Sequence, residues 1–201
     1  MRVLLFSFLA TASFSSSAFA AKYELDKAHT SIAFQAPHLV VSKVNGRFDE
    51  FDGSFDFDET SQKLDNVVVT IKTASLNTNQ KDRDKDLRSK NFFDVEKYPN
   101  MTFKSTKVEY DKDKPKKVHG DLTIHGVTKP IVLDVNYNGA VTDPWGNRMV
   151  SFDAETKIDR KDFGMTWNKQ LDKGGWMVGD DIKIKIDGEA KVAKPQAPAK
   201  K

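Results

Sequence analysis

Four histidines, His29, His38, His119 and His125, are the side chains of this 201-residue sequence that ordinarily titrate near neutral pH, and there is no cysteine. His119 and His125 stand six residues apart; on a regular strand they would share a face about 20 Å from each other, too far to hold one metal ion. No His-x-His, His-Glu-x-x-His or cysteine ligand set occurs, so each histidine is assigned to a turn or strand end rather than to a metal. Asp162-Phe163-Gly164 spells the magnesium-binding tripeptide of kinases, but no glycine-rich loop, strand lysine or His-Arg-Asp motif accompanies it. It reads instead as a strand end, with Gly164 in a conformation that other residues resist. There is no Gly-x-Ser-x-Gly and no phosphate loop, and carboxylates such as Asp49 and Glu50 have no identifiable partner for acid–base work. The expectation is a protein without cofactor, metal or enzymatic activity.

The elements that would position any site are strands. Ile131, Leu133, Val135 and Tyr137 alternate with polar residues, as do Phe152, Ala154, Thr156 and Ile158. The cleanest alternation is Ile182, Ile184 and Ile186 against Lys183, Lys185 and Asp187. Val67, Val69 and Ile71 repeat the pattern, and likewise Ile32, Phe34 and Ala36 after a corner at Lys27-Ala28-His29; Gly46 to Phe57 reads as a long strand or bent pair, with Gly53 as a bulge or bend. His125-Gly126-Val127-Thr128 has the length of a tight hairpin, and Asn138-Gly139 and Asp143-Pro144-Trp145-Gly146-Asn147 carry turn chemistry. About eight or nine strands joined by short turns predict an antiparallel sheet that closes on itself or stacks on a second one. A barrel of about eight strands removes exposed edges and is either solid or just wide enough for one small ligand.

Asn79 to Ser105 is the exception to this pattern. Residues 80–90 hold one apolar side chain, Leu87, among charged ones. The spacing predicts a short charged helix, capped by Asn77 or Asn79, with Asp84–Arg88 and Asp86–Lys90 paired at i,i+4. Phe92 and Phe93 follow as an anchor, and Tyr98-Pro99 forces an extended exit. The segment reads as a charged clasp pinned to the sheet by two rings.

Arg2, the apolar run Val3 to Leu9 and Ser17-Ala18-Phe19-Ala20 form a cleavable export signal over residues 1–20, which predicts secretion to a periplasm. Removing twenty of 201 residues leaves 181, enough for one domain over 21–190. The Lys/Ala/Pro-rich stretch 191–201 has nothing to bury and should be a disordered tail. Net charge is +3, four lysines stand in that tail, and no basic stripe exists to hold nucleic acid. No run is long and apolar enough for stable membrane insertion.

Several runs resemble one family in order and spacing. They are Asp26-x-x-His29-Thr30-x-Ile32-x-Phe34, then His38, Gly46-x-Phe48 and Phe51-x-Gly53. The most specific is Arg83-Asp84-x-x-Leu87-x-Ser89-x-x-Phe92-Phe93-Asp94 with Tyr98-Pro99-x-Met101-x-Phe103-x-Ser105. Gly120-x-Leu122-Thr123-Ile124-x-Gly126-Val127-Thr128-Lys129-Pro130 and Arg160-x-Asp162-Phe163-Gly164 complete the set. Together they resemble the YceI family of exported bacterial proteins over nearly the whole processed chain. One departure is Asp86, where the family often has a histidine before the leucine.

The resemblance implies an all-β, extended lipocalin-like antiparallel barrel that binds a polyisoprenoid chain, such as a polyprenyl phosphate or a quinone tail, for transport or storage; several members are homodimers. Under that reading the lining candidates are Phe34, Phe55, Ile71, Phe103, Leu133, Phe152 and Ile184. Leu87, Phe92 and Phe93 would form a lid, and Arg47, Arg83, Arg88 and Arg160 are the candidates for gripping an anionic head group. For each arginine the competing role is an ordinary rim ion pair. Two other functions stay open from sequence: a solid barrel serving as an adaptor, and a barrel enzyme acting on a lipid or quinone.

Overall fold

The computed structural model describes residues 20–172 and 174–194. The expected leader, apart from Ala20, and the tail beyond Lys194 lie outside the described residues.

Eleven strands form one antiparallel sheet: β1 (Ala21–Leu25), β2 (Ser31–His38), β3 (Ser42–Phe48), β4 (Phe51–Asp58), β5 (Lys63–Lys72), β6 (Leu76–Asn77), β7 (Asn100–Asp111), β8 (Lys114–Ile124), β9 (Val127–Thr142), β10 (Arg148–Asp159) and β11 (Asp181–Val192). Pairing of Tyr23 with Val192 and of Leu25 with Ala190 closes it between β1 and β11. The count departs from the expected eight or nine because three walls are broken. β2 continues β1 along the edge of β11, β3 and β4 run beside them, and β5 and β6 come next. The result is an eight-walled, lipocalin-like closed barrel with one short helix, as expected.

The breaks fall on neighbouring walls, at Asp26–Thr30, Asp49–Glu50 and Thr73–Ser75. Hydrogen bonds bridge them: Asp26 N to Glu189 O (2.8 Å), Asp49 N to Ser75 O (3.1 Å) and Lys72 N to Glu50 O (2.9 Å). These bonds carry backbone pairing across the bends of the barrel. The stretch Gly46 to Phe57 is a bent pair, β3 and β4, broken at Asp49–Glu50, and the β4–β5 register slips between Ser54 and Asp56, just beyond Gly53. Gly53 itself makes room for Leu25, whose Cδ1 lies 2.6 Å from where a Cβ would be.

His125 and Gly126 form a two-residue hairpin loop with φ of 51° and 76°, the geometry of a primed turn. Asn138-Gly139 is not a turn. It lies inside β9, where Ser151 faces Gly139 and Phe152 faces Tyr137, so Asn138 is the extra residue of a bulge. β11 runs to Val192, so Lys191 and Val192, expected in the tail, pair with β1 and belong to the barrel.

Beyond the Lys72–Asn100 pair, β7 no longer accompanies the β5–β6 wall. The helix α1 (Lys81–Arg88) occupies this stretch, and its side chains replace the absent ladder. Arg88 donates to Leu76 O and, at 2.8 Å, to Ala74 O. Asp84, buried, accepts from Thr78 N (2.8 Å) and Thr78 Oγ1 (2.5 Å), while Arg83 donates to Thr78 Oγ1 and Thr78 O. The expected i,i+4 pair of Asp84 with Arg88 is thus replaced by bonds to the barrel, which satisfy groups that would otherwise be orphaned. The N-cap is Gln80, whose side chain accepts from Arg83 N; Asn77 instead accepts from Asn79 N, one turn too early to cap α1.

Candidate functional site: a hydrocarbon-lined interior

The inward faces of the walls surround a cavity of about 220 Å³. The seven residues proposed from alternation, Phe34, Phe55, Ile71, Phe103, Leu133, Phe152 and Ile184, all stand on its wall, and so do Leu87, Phe92 and Phe93 of the clasp. Among the lining residues, polar side chains come only from Ser54, Tyr137, Thr156 and Arg160. An apolar cavity of roughly 150 Å³ suffices for benzene and stays dry. This interior therefore favours a hydrocarbon over a polar solute.

Three of the rings keep the space open by lying along the wall. Phe34, Phe103 and Phe152 each cover a glycine of the adjacent strand, with ring atoms 2.3, 2.4 and 2.5 Å from where a Cβ would stand on Gly46, Gly120 and Gly188. Phe34 and Phe152 face their glycines directly in the ladder. With any larger residue at those positions, the ring would have to swing inward.

An aromatic plug closes one end. Tyr23 stacks on Phe55 (5.6 Å) and meets Phe57 edge-on, Phe57 rests on Tyr137 (5.1 Å), and Phe55 meets Phe152 edge-on (5.8 Å). Over it, Tyr23 donates its hydroxyl to Glu59 Oε1 (2.6 Å), and Arg148 grips both oxygens of Glu59. The Arg148 hydrogen bonds, followed by that from Tyr23, hold the Glu59 carboxyl below its ordinary range despite partial burial. Burial, then the Glu59 hydrogen bond, pushes the Tyr23 phenol far up. Of this plug, Phe55 and Phe152 were named from alternation as lining residues, whereas the Tyr23–Glu59–Arg148 group was not singled out, because Glu59 and Arg148 lie 89 residues apart.

The clasp closes the other end. Phe92, buried, packs on Trp167 (5.2 Å), and Phe93 meets Phe48 edge-on (5.7 Å). Phe93 N donates to Leu87 O (3.0 Å) and Phe92 N to Ser89 O (3.1 Å), so the turn after α1 aims both rings at the cavity.

The four candidate arginines do not converge on one point. Arg47 pairs with Asp49 on the surface (2.6 Å), while Arg83 and Arg88 are engaged in tying α1 to Thr78, Ala74 and Leu76. Arg160 lines the cavity but is spent on four acceptors: Gly179 O, Met165 O, Trp167 O and Asp180 Oδ1. Spacing along the chain carries no information about such acceptors. Among the described residues, no group of three or more His, Cys, Asp or Glu side chains is placed to hold a metal ion. Asp162-Phe163-Gly164 closes a 3₁₀ turn, Arg160–Phe163, with Gly164 left-handed at φ 75° and Phe163 buried.

A family model described as a YceI-like domain matches residues 23–190. The chain belongs to the YceI family. It is 44% identical to protein YceI of Escherichia coli O157:H7 over 174 residues, 86% of this chain and 88% of that one. The crystal structure of Campylobacter jejuni YceI superposes with a TM-score of 0.69 at 36% identity, covering 79% of this chain and 90% of the other. A polyisoprenoid binding domain from Saccharophagus degradans, implicated in plant cell wall breakdown, shares the fold at 17% identity, with a TM-score of 0.61 over 87% of this chain and 99% of that domain.

Proposed function

We propose that this YceI-family barrel is a non-catalytic lipid-binding protein of the periplasm. It holds the isoprenoid chain of a polyprenyl phosphate or quinone and carries or stores it. The observation that bears most weight is the cavity itself: a hydrocarbon wall, an aromatic plug under the Tyr23–Glu59–Arg148 group at one end and the Phe92–Phe93 pair at the other. The shared fold with a domain that binds polyisoprenoid supports the choice of ligand, and the cleavable leader read from residues 1–20 supports export.

A tail taken from a bilayer leaves one apolar medium for another, so transfer is nearly balanced and packing decides its sign. That suits loading and release. The open space as it stands holds about one or two isoprene units; a longer chain is accommodated by rings leaving the lumen, with Phe92 and Phe93 the nearest to move.

Native mass spectrometry of the protein as it accumulates in its host tests this reading. The expected result is a bound lipid with an isoprenoid tail. Clean apo protein that takes up no polyprenyl lipid on mixing overturns it.

A further inference from the structure

At the clasp end, the loop joining β2 to β3 is Leu39-Val40-Val41, and it is unlike an ordinary hairpin. Leu39 and Val40 have φ of 51° and 66°, in the left-handed region where Asn and Gly are the usual occupants and a β-branched residue is strained. The strain is not offset by burial, since Val40 is 74% and Val41 89% exposed. Strain held at apolar residues in water points to a use outside the fold.

A second loop supports this one. Residues 168–172 and 174–178 run back along one another, with Met177 N donating to Lys169 O (2.9 Å) and Gln170 bridged to Trp176. Leu39 N donates to Met177 O (2.9 Å), His38 bridges to Val178, and Val40 Cγ2 lies 3.0 Å from where Gly175 would carry a Cβ. Trp176, 53% exposed, stands beside Gly175 and completes an apolar face. Exposed Lys43 and Lys169 flank it. Among the described residues of 37–43 and 168–178, two lysines, Lys43 and Lys169, stand against a single acid, Asp172. Ala36 and Val178, adjoining these loops, line the cavity.

We propose that the loop 39–41, together with residues 168–172 and 174–178, is an interfacial anchor that seats this end of the barrel reversibly on an anionic phospholipid bilayer. Leucine and valine enter the acyl boundary, Trp176 takes the headgroup level where indoles concentrate, and the lysines meet the anionic surface. Three small apolar side chains and one indole make a shallow contact that releases again. The anchor deepens the lipid-carrier reading by placing cargo transfer at the clasp end, and rests on that reading for its purpose only; attachment to a bilayer is measured without cargo.

The protein purified as it accumulates in its host is sedimented with vesicles of phosphatidylglycerol and phosphatidylethanolamine, and with vesicles of phosphatidylcholine alone. Binding is expected to the first, weakened by salt. Leu39→Asn with Val40→Gly suits the turn, so the variant should melt no lower than the parent while its vesicle binding falls by about tenfold. Trp145→Ser, at an exposed turn of unstrained residues between β9 and β10, should leave vesicle binding unchanged. Uptake of polyprenyl lipid from detergent solution should be unaltered in the loop variant. Loss of that uptake in the parent, with vesicle binding intact, defeats the carrier reading and leaves the anchor standing. No vesicle binding by the parent, or equal binding by the loop variant, overturns the anchor. So does a concentration-dependent dimer that the loop variant disperses without any vesicle binding, which would assign the face to a second copy.

Discussion

The Phe34 ring occupies the space in which Gly46, its partner across the β2–β3 ladder, would carry a side chain, with Cζ 2.3 Å from the Cβ position. Phe152 bears the same relation to Gly188 at 2.5 Å. A ring lying flat on a glycine buries its faces against the wall and leaves the lumen free. The width of the cavity is thus set by residues that do not themselves point into it.

Gly188→Ala tests this directly, because the three atoms nearest the added methyl all belong to the Phe152 ring. The ring should swing into the cavity instead of clashing with backbone, so the loss of stability should stay near the low end of about 1–3 kcal/mol for overpacking. Lipid uptake should fall much more than stability does. Thermal melts beside uptake measurements separate the two; unchanged uptake would mean the ring position does not control the lumen.

Phe92→Ala removes the clasp's contact with Trp167 and leaves a gap over the cavity. The expected loss is about 3 kcal/mol, and retention of bound lipid should shorten because the end is no longer covered. Phe92→Asp with Phe93→Asp should abolish retention while far-ultraviolet dichroism still reports sheet. Normal retention in that double variant removes the clasp from the mechanism.

The walls were legible in the sequence because a half-buried strand writes its two faces as alternation: Ile182, Ile184 and Ile186 do line the cavity, as do Ile131, Leu133 and Val135. Turn chemistry was legible where only a turn satisfies it, at His125-Gly126, and misleading at Asn138-Gly139, because a bulge asks for much the same residues. Two of the three broken walls were legible, at the corner Lys27-Ala28-His29 and inside the stretch Gly46 to Phe57 read as a long strand or bent pair; the break at Thr73–Ser75 left no clear local signal, since its position follows from closing the barrel. The protein acceptors of the arginines were not legible for a related reason. Carbonyl oxygens such as Leu76 O and Met165 O become acceptors only once the chain has folded past them.

Asp84→Ala should release α1 from the barrel. Thr78 N and Thr78 Oγ1 lose their buried acceptor, which costs about 1–3 kcal/mol. Asp84→Asn keeps one acceptor oxygen and should lose less. Hydrogen exchange should accelerate at residues 81–93 before it does in β9 to β11; uniform acceleration would show that the clasp and barrel open as one unit.

The plug predicts a stability plateau with two limbs. Glu59 has its pKa lowered in the folded state, mainly by the Arg148 hydrogen bonds, so its contribution is present above the ordinary value of 4.5 and fades as pH falls below it. Tyr23 has its pKa raised, mainly by burial, so its contribution is present below the ordinary value of 10.0 and fades as pH rises beyond it. Glu59→Gln should flatten the acid limb of a melting-temperature profile and lower the plateau. An acid limb unchanged in this variant would place its origin in other carboxylates.

Arg160 is 3% exposed and donates to three carbonyls and Asp180. Those bonds tie the 3₁₀ turn to Met165, Trp167, Gly179 and Asp180, so the guanidinium works as a staple whose bonded donors are spent on protein. Arg160→Met removes the charge but keeps much of the volume. It should destabilise by roughly 2–4 kcal/mol, because a buried pair is broken and carbonyls lose their donors. If the staple is its whole role, the ratio of affinities for a polyprenyl phosphate and an uncharged quinone should not move. A selective loss of the phosphate ligand would instead return Arg160 to the head group, with the hydrogen-bonded arrangement seen here as the form that the ligand displaces.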